Sequence, residues 1–71
     1  MRTMKTPKIG AAIKARREKM KMSQADLSRA TDIGPSYLCR LERGDFLPRI
    51  PTLQKIAFAL KTTAVDLMGD V

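Results

Sequence analysis

The stretch SQADLSRATDIGPSYLCRLERG, residues 23–44, decides the fold of this chain. Ser23 and Asp26 have the spacing of a capping box, which predicts the start of a helix. Asp32 tolerates a left-handed backbone better than most residues, so we expect it to turn the chain. The Gly34–Pro35 pair supplies an N-cap and a first helical residue, and the final glycine ends the second helix. The stretch therefore predicts two short helices that meet across one tight turn.

Apolar residues recur at helical spacing on both sides of this stretch. A first helix is predicted from about residue 8 to residue 19, and a fourth begins near Pro51. A last short helix follows Thr63, where Asp66 repeats the cap pattern, and it ends at Gly69. Since no strands are predicted, we expect an all-α fold, a compact bundle of five helices. The inward positions are expected to be Ile9, Ile13, Met20, Leu27, Ala30, Leu38, Leu41, Leu53, Ile56, Ala57 and Leu60.

The positive charge of the chain is concentrated near its N-terminus. The 71 residues carry a formal net charge of +7, and residues 1–22 hold eight of the 14 bases with one acid, Glu18. Such a segment suits a polyanion, because binding phosphates releases condensed counterions, and nucleic acid is a better match than a membrane surface. The alternative is a solvated face that only keeps the protein soluble. We divide the chain into a basic N-terminal arm, residues 1–7, and one domain, residues 8–71.

Three absences limit the chemistry of this sequence. It has no His, which excludes Ser-His-Asp and Cys-His catalysis and His-bound zinc. Its single cysteine, Cys39, can form neither an internal disulfide nor a multi-cysteine metal site. The longest apolar run, residues 56–60, is too short to span a membrane, and no apolar segment follows the basic N-terminus as in a signal peptide. We therefore expect a cytoplasmic protein that is not an enzyme and uses no metal, cofactor or small-molecule substrate.

The third predicted helix has one compact, cationic face. At 100° per residue, Ser36, Arg40 and Arg43 cluster on the side opposite Leu38 and Leu41. An α-helix fits the major groove of DNA, where Arg can grip a guanine through two hydrogen bonds and Ser can reach several base edges. The alternative is a solvent-exposed face whose charges have no partner.

Glu42 falls near the inward side of the same helix. A carboxylate there is costly unless a cation meets it. Arg16 and Arg17 both border the apolar stripe of the first helix, and helical geometry does not choose between them.

Four segments of the chain, in this order and spacing, resemble the Cro and phage-repressor helix-turn-helix family, also called the XRE family. The resemblance covers residues 9–67. It implies a lambda repressor-like domain that binds operator DNA as a dimer, with the second helix crossing the phosphate backbone and the third lying in the major groove. The segments are IGAAIKARR (9–17), MSQADLS (22–28), DIGPSYLCRLERG (32–44) and PRIPTLQKIAFAL (48–60).

The resemblance also implies roles for single residues. It pairs Glu42 with Arg17, which leaves Arg16 for solvent or phosphate. Gln24 matches a residue that touches a DNA phosphate, and a first-turn amide suits an anion. Arg43 matches a position near the DNA backbone or the minor groove. The leading DNA-facing positions are matched by Gly34, Pro35, Ser36 and Arg40.

The sequence departs from the family pattern at three positions. Asp32 replaces the turn glycine, Ser28 replaces an alanine, and Arg49 replaces a capping serine. None of these changes is expected to abolish the fold. The Gly34–Pro35 pair offers few hydrogen bonds to bases, so specificity is expected to depend on Arg40 and on DNA shape.

Two aromatic residues have two interpretations each. Tyr37 either contacts a phosphate through its hydroxyl or covers the neighbouring helix. Phe58 either packs under the final helix or is exposed apolar surface that binds a partner. Together with Val65 in the C-terminal segment 65–71, Phe58 is a candidate dimer contact.

These features predict a sequence-specific regulator of transcription that binds double-stranded DNA, a bacterial or phage repressor acting as a homodimer on a palindromic operator. One alternative is an antitoxin or bridging module that chiefly binds a protein, which could grip Phe46 or Phe58. Another is a nonspecific nucleic-acid packager that uses the basic arm alone.

Overall fold

The computed structural model describes residues 8–68, and these residues form five α-helices without a strand. The basic arm of residues 1–7 and the predicted helix end at Gly69 lie outside the described residues. The predicted all-α, five-helix fold is confirmed. The helices are α1 (Lys8–Lys19), α2 (Gln24–Thr31), α3 (Pro35–Arg43), α4 (Ile50–Ala59) and α5 (Ala64–Met68).

The predicted capping box starts α2. The Oγ atom of Ser23 accepts from the Asp26 N–H at 2.9 Å, and the Oδ2 atom of Asp26 accepts from the Ser23 N–H at 2.9 Å. The bond from the Ser23 N–H and the nearby Ser23 hydroxyl hold the pKa of Asp26 below its usual range, because both favour the charged carboxylate. The box therefore satisfies two backbone donors at the helix start.

Side-chain hydroxyls close the turn between α2 and α3. Asp32 adopts the predicted left-handed conformation, with φ of 62°, and its N–H donates to the Ser28 carbonyl at 2.7 Å. The Ser28 hydroxyl donates to the Ile33 carbonyl at 2.5 Å, and the buried Thr31 hydroxyl donates to the Leu27 carbonyl at 2.7 Å. Ser28, a departure from the family pattern, is thus part of the turn.

The core lies between the helices, with α1 packed on α3 and α5, and α2 packed on α3 and α4. Ala30 was expected to face inward but is exposed, because Thr31 takes the interior position and satisfies its hydroxyl within the helix. Ile9 and Met20 are only partly buried against the core. The remaining predicted inward residues are buried: Ile13, Leu27, Leu38, Leu41, Leu53, Ile56, Ala57 and Leu60.

Gly10 lets α1 approach α3 closely. The residue is buried, and a Cβ atom built there would lie 2.1 Å from the Leu41 carbonyl oxygen. Only glycine permits this approach, because the neighbouring atom belongs to the backbone and cannot move aside. This contact sets how deeply α3 is seated on the rest of the domain.

Candidate functional site

The cationic side of α3 faces solvent. Ser36, Arg40 and Arg43 are exposed, and Cys39 is exposed beside them. The opposite side of the helix is fully buried through Leu38 and Leu41, together with Glu42. The helix is therefore anchored on one side and free to contact a ligand on the other.

The start of α3 is also open to solvent. Gly34 is the N-cap and Pro35 is the first helical residue, as predicted, and both are exposed. A Cβ atom at Gly34 would meet no atom within 4 Å. No bulk therefore blocks the approach of a ligand to this end of the helix.

Asp45, which the sequence analysis did not single out, reaches back to the arginines of α3. Its Oδ2 atom lies 2.7 Å from Arg43 Nη2 and 3.7 Å from Arg40 Nε. The hydrogen bond lowers the pKa of Asp45 and raises that of Arg43. The glycine that ends α3 could have indicated this contact, since a left-handed C-cap turns the following residue back toward the helix.

A buried ion pair holds α3 against α1. Arg17 Nε donates to Glu42 Oε2 at 2.8 Å and Arg17 Nη2 donates to Glu42 Oε1 at 2.9 Å, with side-chain exposures of 8% and 3%. The hydrogen bonds to Glu42 raise the pKa of Arg17. Arg17 Nη1 also donates to the Met22 carbonyl at 2.7 Å. The pair thus joins α1, the α1–α2 turn and α3.

Arg16 is not simply left for solvent or phosphate, because two of its nitrogens bond backbone carbonyls, which corrects that expectation in part. Its Nε atom donates to the Leu60 carbonyl and its Nη2 atom donates to the Lys61 carbonyl, both at 2.9 Å. These carbonyls lie at the C-terminal end of α4, where backbone acceptors lack helical partners and the helix dipole favours a cation. Arg16 is therefore a cap for α4.

Gln24 begins α2 and is half-buried. Its Nε2 atom donates to Glu42 Oε1 at 3.0 Å, so its amide is held by the buried ion pair. Gln24 and Glu42 line a shallow groove between α1, α2 and α3 together with Lys14, Cys39 and Arg43. The sequence analysis did not single out Lys14, which lies on α1 five residues after Ile9. The groove thus brings the cations of Lys14 and Arg43 close to the Gln24 amide and the Glu42 carboxylate.

The three aromatic residues of the chain are placed differently. Tyr37 is half-buried and its ring packs on Phe46, with centroids 4.9 Å apart and planes tilted by 58°. This contact places the ring over the segment that follows α3. Phe58 does not pack under the final helix: it is 85% exposed and borders a shallow depression with Ala30 and Ala59.

Other apolar side chains also face solvent. Val65 on α5 is 72% exposed. Leu47 in the α3–α4 connection and Ile50 at the start of α4 are also largely exposed. Across residues 8–68, no helix has the length and hydropathy needed to cross a membrane. The same residues contain no group of three or more acidic, Cys or His side chains placed to hold a metal ion.

Comparisons with known proteins agree on the fold. A family model described as helix-turn-helix, HTH_3, matches residues 13–67. The immunity repressor protein of Bacillus phage phi105 is 32% identical over 62 residues, which cover 87% of this chain and 43% of the repressor. The chain spans about half the length of the curated relatives it matches.

Two solved structures of regulators have the same fold as this chain. The clp gene regulator ClgR from C. glutamicum is 25% identical, with a TM-score of 0.85 over 94% of this chain and 87% of that chain. The biofilm master regulator SinR, solved in complex with DNA, is 30% identical, with a TM-score of 0.81 over 84% of this chain and 97% of that chain.

Proposed function

The chain belongs to the helix-turn-helix family HTH_3, and from this premise we propose that it is a sequence-specific DNA-binding regulator of transcription that acts as a repressor. The observation that carries the proposal is the exposed face of Ser36, Arg40 and Arg43 on a helix that is seated rigidly on its opposite side. A helix of this kind can lie in the major groove of double-stranded DNA. The relatives named as repressor and regulator, one of them solved with DNA, support the same function.

Within this proposal, Arg40 and Ser36 read base edges. Arg40 lies near the middle of α3, where a guanidinium can bond the O6 and N7 atoms of guanine together. Gly34 and Pro35 let the start of α3 approach the DNA closely without reading a base, and Tyr37 contributes by supporting α3. Few side chains then specify the sequence, so DNA shape supplies part of the selectivity.

Phosphate contacts fix the position of α3 on the DNA. Gln24 and the free N–H groups at the start of α2 can bind one phosphate, because the Glu42 bond occupies only one of the two amide hydrogens of Gln24. Arg43 can also reach the backbone from the other end of α3 when it leaves Asp45. We assign residues 1–7 to a basic arm and residues 8–71 to the domain, and propose that the bases of the arm add affinity without sequence selectivity.

We further propose a homodimer on a palindromic operator. One α3 helix reaches only a few base pairs, and a two-fold pair places two such helices about 34 Å apart, one turn of DNA. Phe58 and Val65 are the proposed contacts, since both are large apolar side chains left exposed on neighbouring helices α4 and α5.

The same exposed Phe58 favours one alternative function. A module that chiefly binds another protein, such as an antitoxin or a bridging factor, would use this apolar surface in place of a second copy. This function requires neither Ser36 nor Arg40.

Selection from a random duplex pool at near-physiological salt tests these functions. The wild type is expected to enrich a palindromic site and to prefer it over scrambled DNA by a factor of about 10³ or more. Arg40→Ala is expected to lose discrimination at one position in each half-site. Lys55→Ala is the matched control, because it removes one exposed positive charge from α4, away from α3. If no sequence is enriched, the regulator proposal is wrong and a protein or nonspecific partner becomes the better account.

A further inference from the structure

A carboxylate lies among the cations of the proposed DNA-binding face. One oxygen of Asp45, Oδ2, is 2.7 Å from Arg43 Nη2 and 3.7 Å from Arg40 Nε. About two thirds of each arginine side chain is exposed, and one third of the Asp45 side chain is. The two arginines proposed to contact DNA therefore share one anionic partner in the free protein.

The backbone at the end of α3 produces this arrangement. Gly44 has φ of 87°, and its N–H and that of Asp45 donate to carbonyls of the last helical turn at 3.0 Å and 3.1 Å. This left-handed cap returns Asp45 to the side of the helix that carries both arginines. The C-terminal end of a helix repels a carboxylate, so the helix dipole does not hold Asp45 in place. The arginines do, and the Arg43 bond lowers the pKa of Asp45 further below neutral pH, where an aspartate is already charged.

Resting on the proposed function, we infer that Asp45 is a selectivity-determining residue that weakens binding to unrelated DNA more than binding to the operator. A phosphate that takes the Nη2 donor of Arg43 must displace the carboxylate, and a phosphate that binds another donor of Arg43 lies close to the same negative charge. Nonspecific binding depends almost entirely on such phosphate contacts. A specific complex also gains the base contacts of Ser36 and Arg40. Arg40 is the more weakly held of the two arginines, so it can extend to a base while Arg43 stays bonded to Asp45, and the specific complex does not depend on the Arg43 phosphate contact.

Asp45→Asn tests this inference, because asparagine keeps the shape of the side chain and removes its charge. Asp66→Asn is the matched control, because it makes the same change in net charge at an exposed position of α5, a helix that packs against α1 and α4. Affinities for the selected duplex and for a scrambled duplex are measured over a range of salt concentrations, with all variants in the same oligomeric state.

We expect Asp45→Asn to bind the scrambled duplex about three- to tenfold more tightly than Asp66→Asn does near 0.1 M salt, and to steepen its salt dependence by about 0.9, the value for one added phosphate contact. The preference for the selected duplex should fall by a similar factor. Equal affinities and slopes for Asp45→Asn and Asp66→Asn would overturn the role of Asp45. A wild type that binds both duplexes equally would instead overturn the sequence-specific function on which the inference rests.

A second readout does not involve DNA. The Nη–H resonances of Arg43 in the NMR spectrum of the free protein report its bond to Asp45, which accepts from the Nη2 atom. They should shift, and broaden through faster hydrogen exchange, in Asp45→Asn but not in Asp66→Asn. An unchanged Arg43 signal would show that Asp45 does not hold this side chain in solution, and would overturn the inference whatever the DNA results.

Discussion

At the scale of single residues, the pair between Arg17 and Glu42 connects the core to the proposed DNA-binding face. Glu42 lies on α3 between the buried Leu41 and the exposed Arg43, and its carboxylate accepts three hydrogen bonds, two from Arg17 and one from Gln24. A buried charge that keeps all its partners is tolerated, whereas a charge that loses them is costly. This pair therefore sets the position of α3 more than it adds to net stability.

Removing one partner of this pair should destabilise the fold strongly. We expect Arg17→Met to lower the free energy of unfolding by about 3 to 5 kcal/mol, because it leaves the Glu42 carboxylate buried without its cation. Urea denaturation followed by circular dichroism measures the change. The double variant Arg17→Met with Glu42→Leu is the control and should recover most of the loss, since no charge is then buried. Additive losses in the double variant would show that the pair is not coupled.

Gly10 gives a prediction about packing. Gly10→Ala places a Cβ atom 2.1 Å from the backbone oxygen of Leu41, so α1 and α3 must separate. Forced shifts of this kind cost about 1 to 3 kcal/mol. Thermal unfolding of Gly10→Ala and of Gly34→Ala provides a matched pair, because a Cβ atom at Gly34 meets nothing within 4 Å. Equal losses in the two variants would contradict the close approach of α1 and α3.

At the scale of elements, side chains at helix ends account for much of the local structure. Ser23 and Asp26 cap the start of α2, the Thr63 hydroxyl accepts from the Asp66 N–H at 3.0 Å before α5, and Arg16 caps the end of α4. These bonds satisfy backbone groups that a helix leaves unpaired at its ends. Short helices depend on them, since helices of 5 to 12 residues are marginal without caps and packing.

The α2 cap predicts a dependence of stability on pH. The pKa of Asp26 is lowered in the folded state by its bonds with Ser23. A lowered folded pKa contributes stability that is present above the unfolded value of about 3.9 and is lost as the pH falls through the folded value. We therefore expect Asp26→Asn to be less stable than the wild type near neutral pH, with the difference shrinking as the pH falls below about 4. Urea midpoints at a series of pH values measure the stability difference between the two proteins. A difference that does not change with pH would contradict the prediction.

Ser23→Ala tests the other half of the same cap. We expect a loss of about 1 kcal/mol, the usual effect of removing a serine N-cap, because the Asp26 N–H loses its acceptor. The urea midpoint measures the loss. Ser36→Ala is a suitable control, since Ser36 lies exposed inside α3 and caps no helix; an equal loss there would show that the effect is not one of capping.

At the scale of the whole molecule, two kinds of surface are exposed on different elements. The cations of the proposed DNA-binding face lie on α3, whereas Phe58 and Val65 lie on α4 and α5. A dimer formed through the second surface would leave the first free. The two exposed apolar side chains thus support the proposed two-fold arrangement on DNA.

The dimer proposal predicts the effect of a charge on its contact surface. Phe58→Asp should shift sedimentation toward the monomer and weaken self-association at least tenfold, because a desolvated carboxylate would replace an apolar ring. The circular dichroism spectrum should stay unchanged, since Phe58 is 85% exposed. Leu47→Asp, at an exposed site on the α3–α4 connection, is the control. Equal self-association of the wild type, Phe58→Asp and Leu47→Asp would show that Phe58 is not part of the interface.

The five helices and most of the core could be predicted from local patterns. Caps, the left-handed Asp32 and the spacing of Leu53, Ile56 and Leu60 act within a few residues, so neighbouring sequence determines them. The exposed cations of α3 followed from helical geometry for the same reason. Ala30 was placed wrongly because a helical pattern does not say which of two adjacent positions, Ala30 or Thr31, meets the next helix.

Contacts between residues that are distant in the chain required the tertiary structure. Helical geometry admitted either Arg16 or Arg17 as the partner of Glu42, and the resemblance to the family favoured Arg17. The packing of α1 on α3 places Arg17 against Glu42 and sends Arg16 to the end of α4. Asp45 was missed because its effect depends on where a turn directs it. Local sequence determines backbone conformation through short-range sterics and hydrogen bonds, whereas charge partners and free surfaces depend on how complete helices dock.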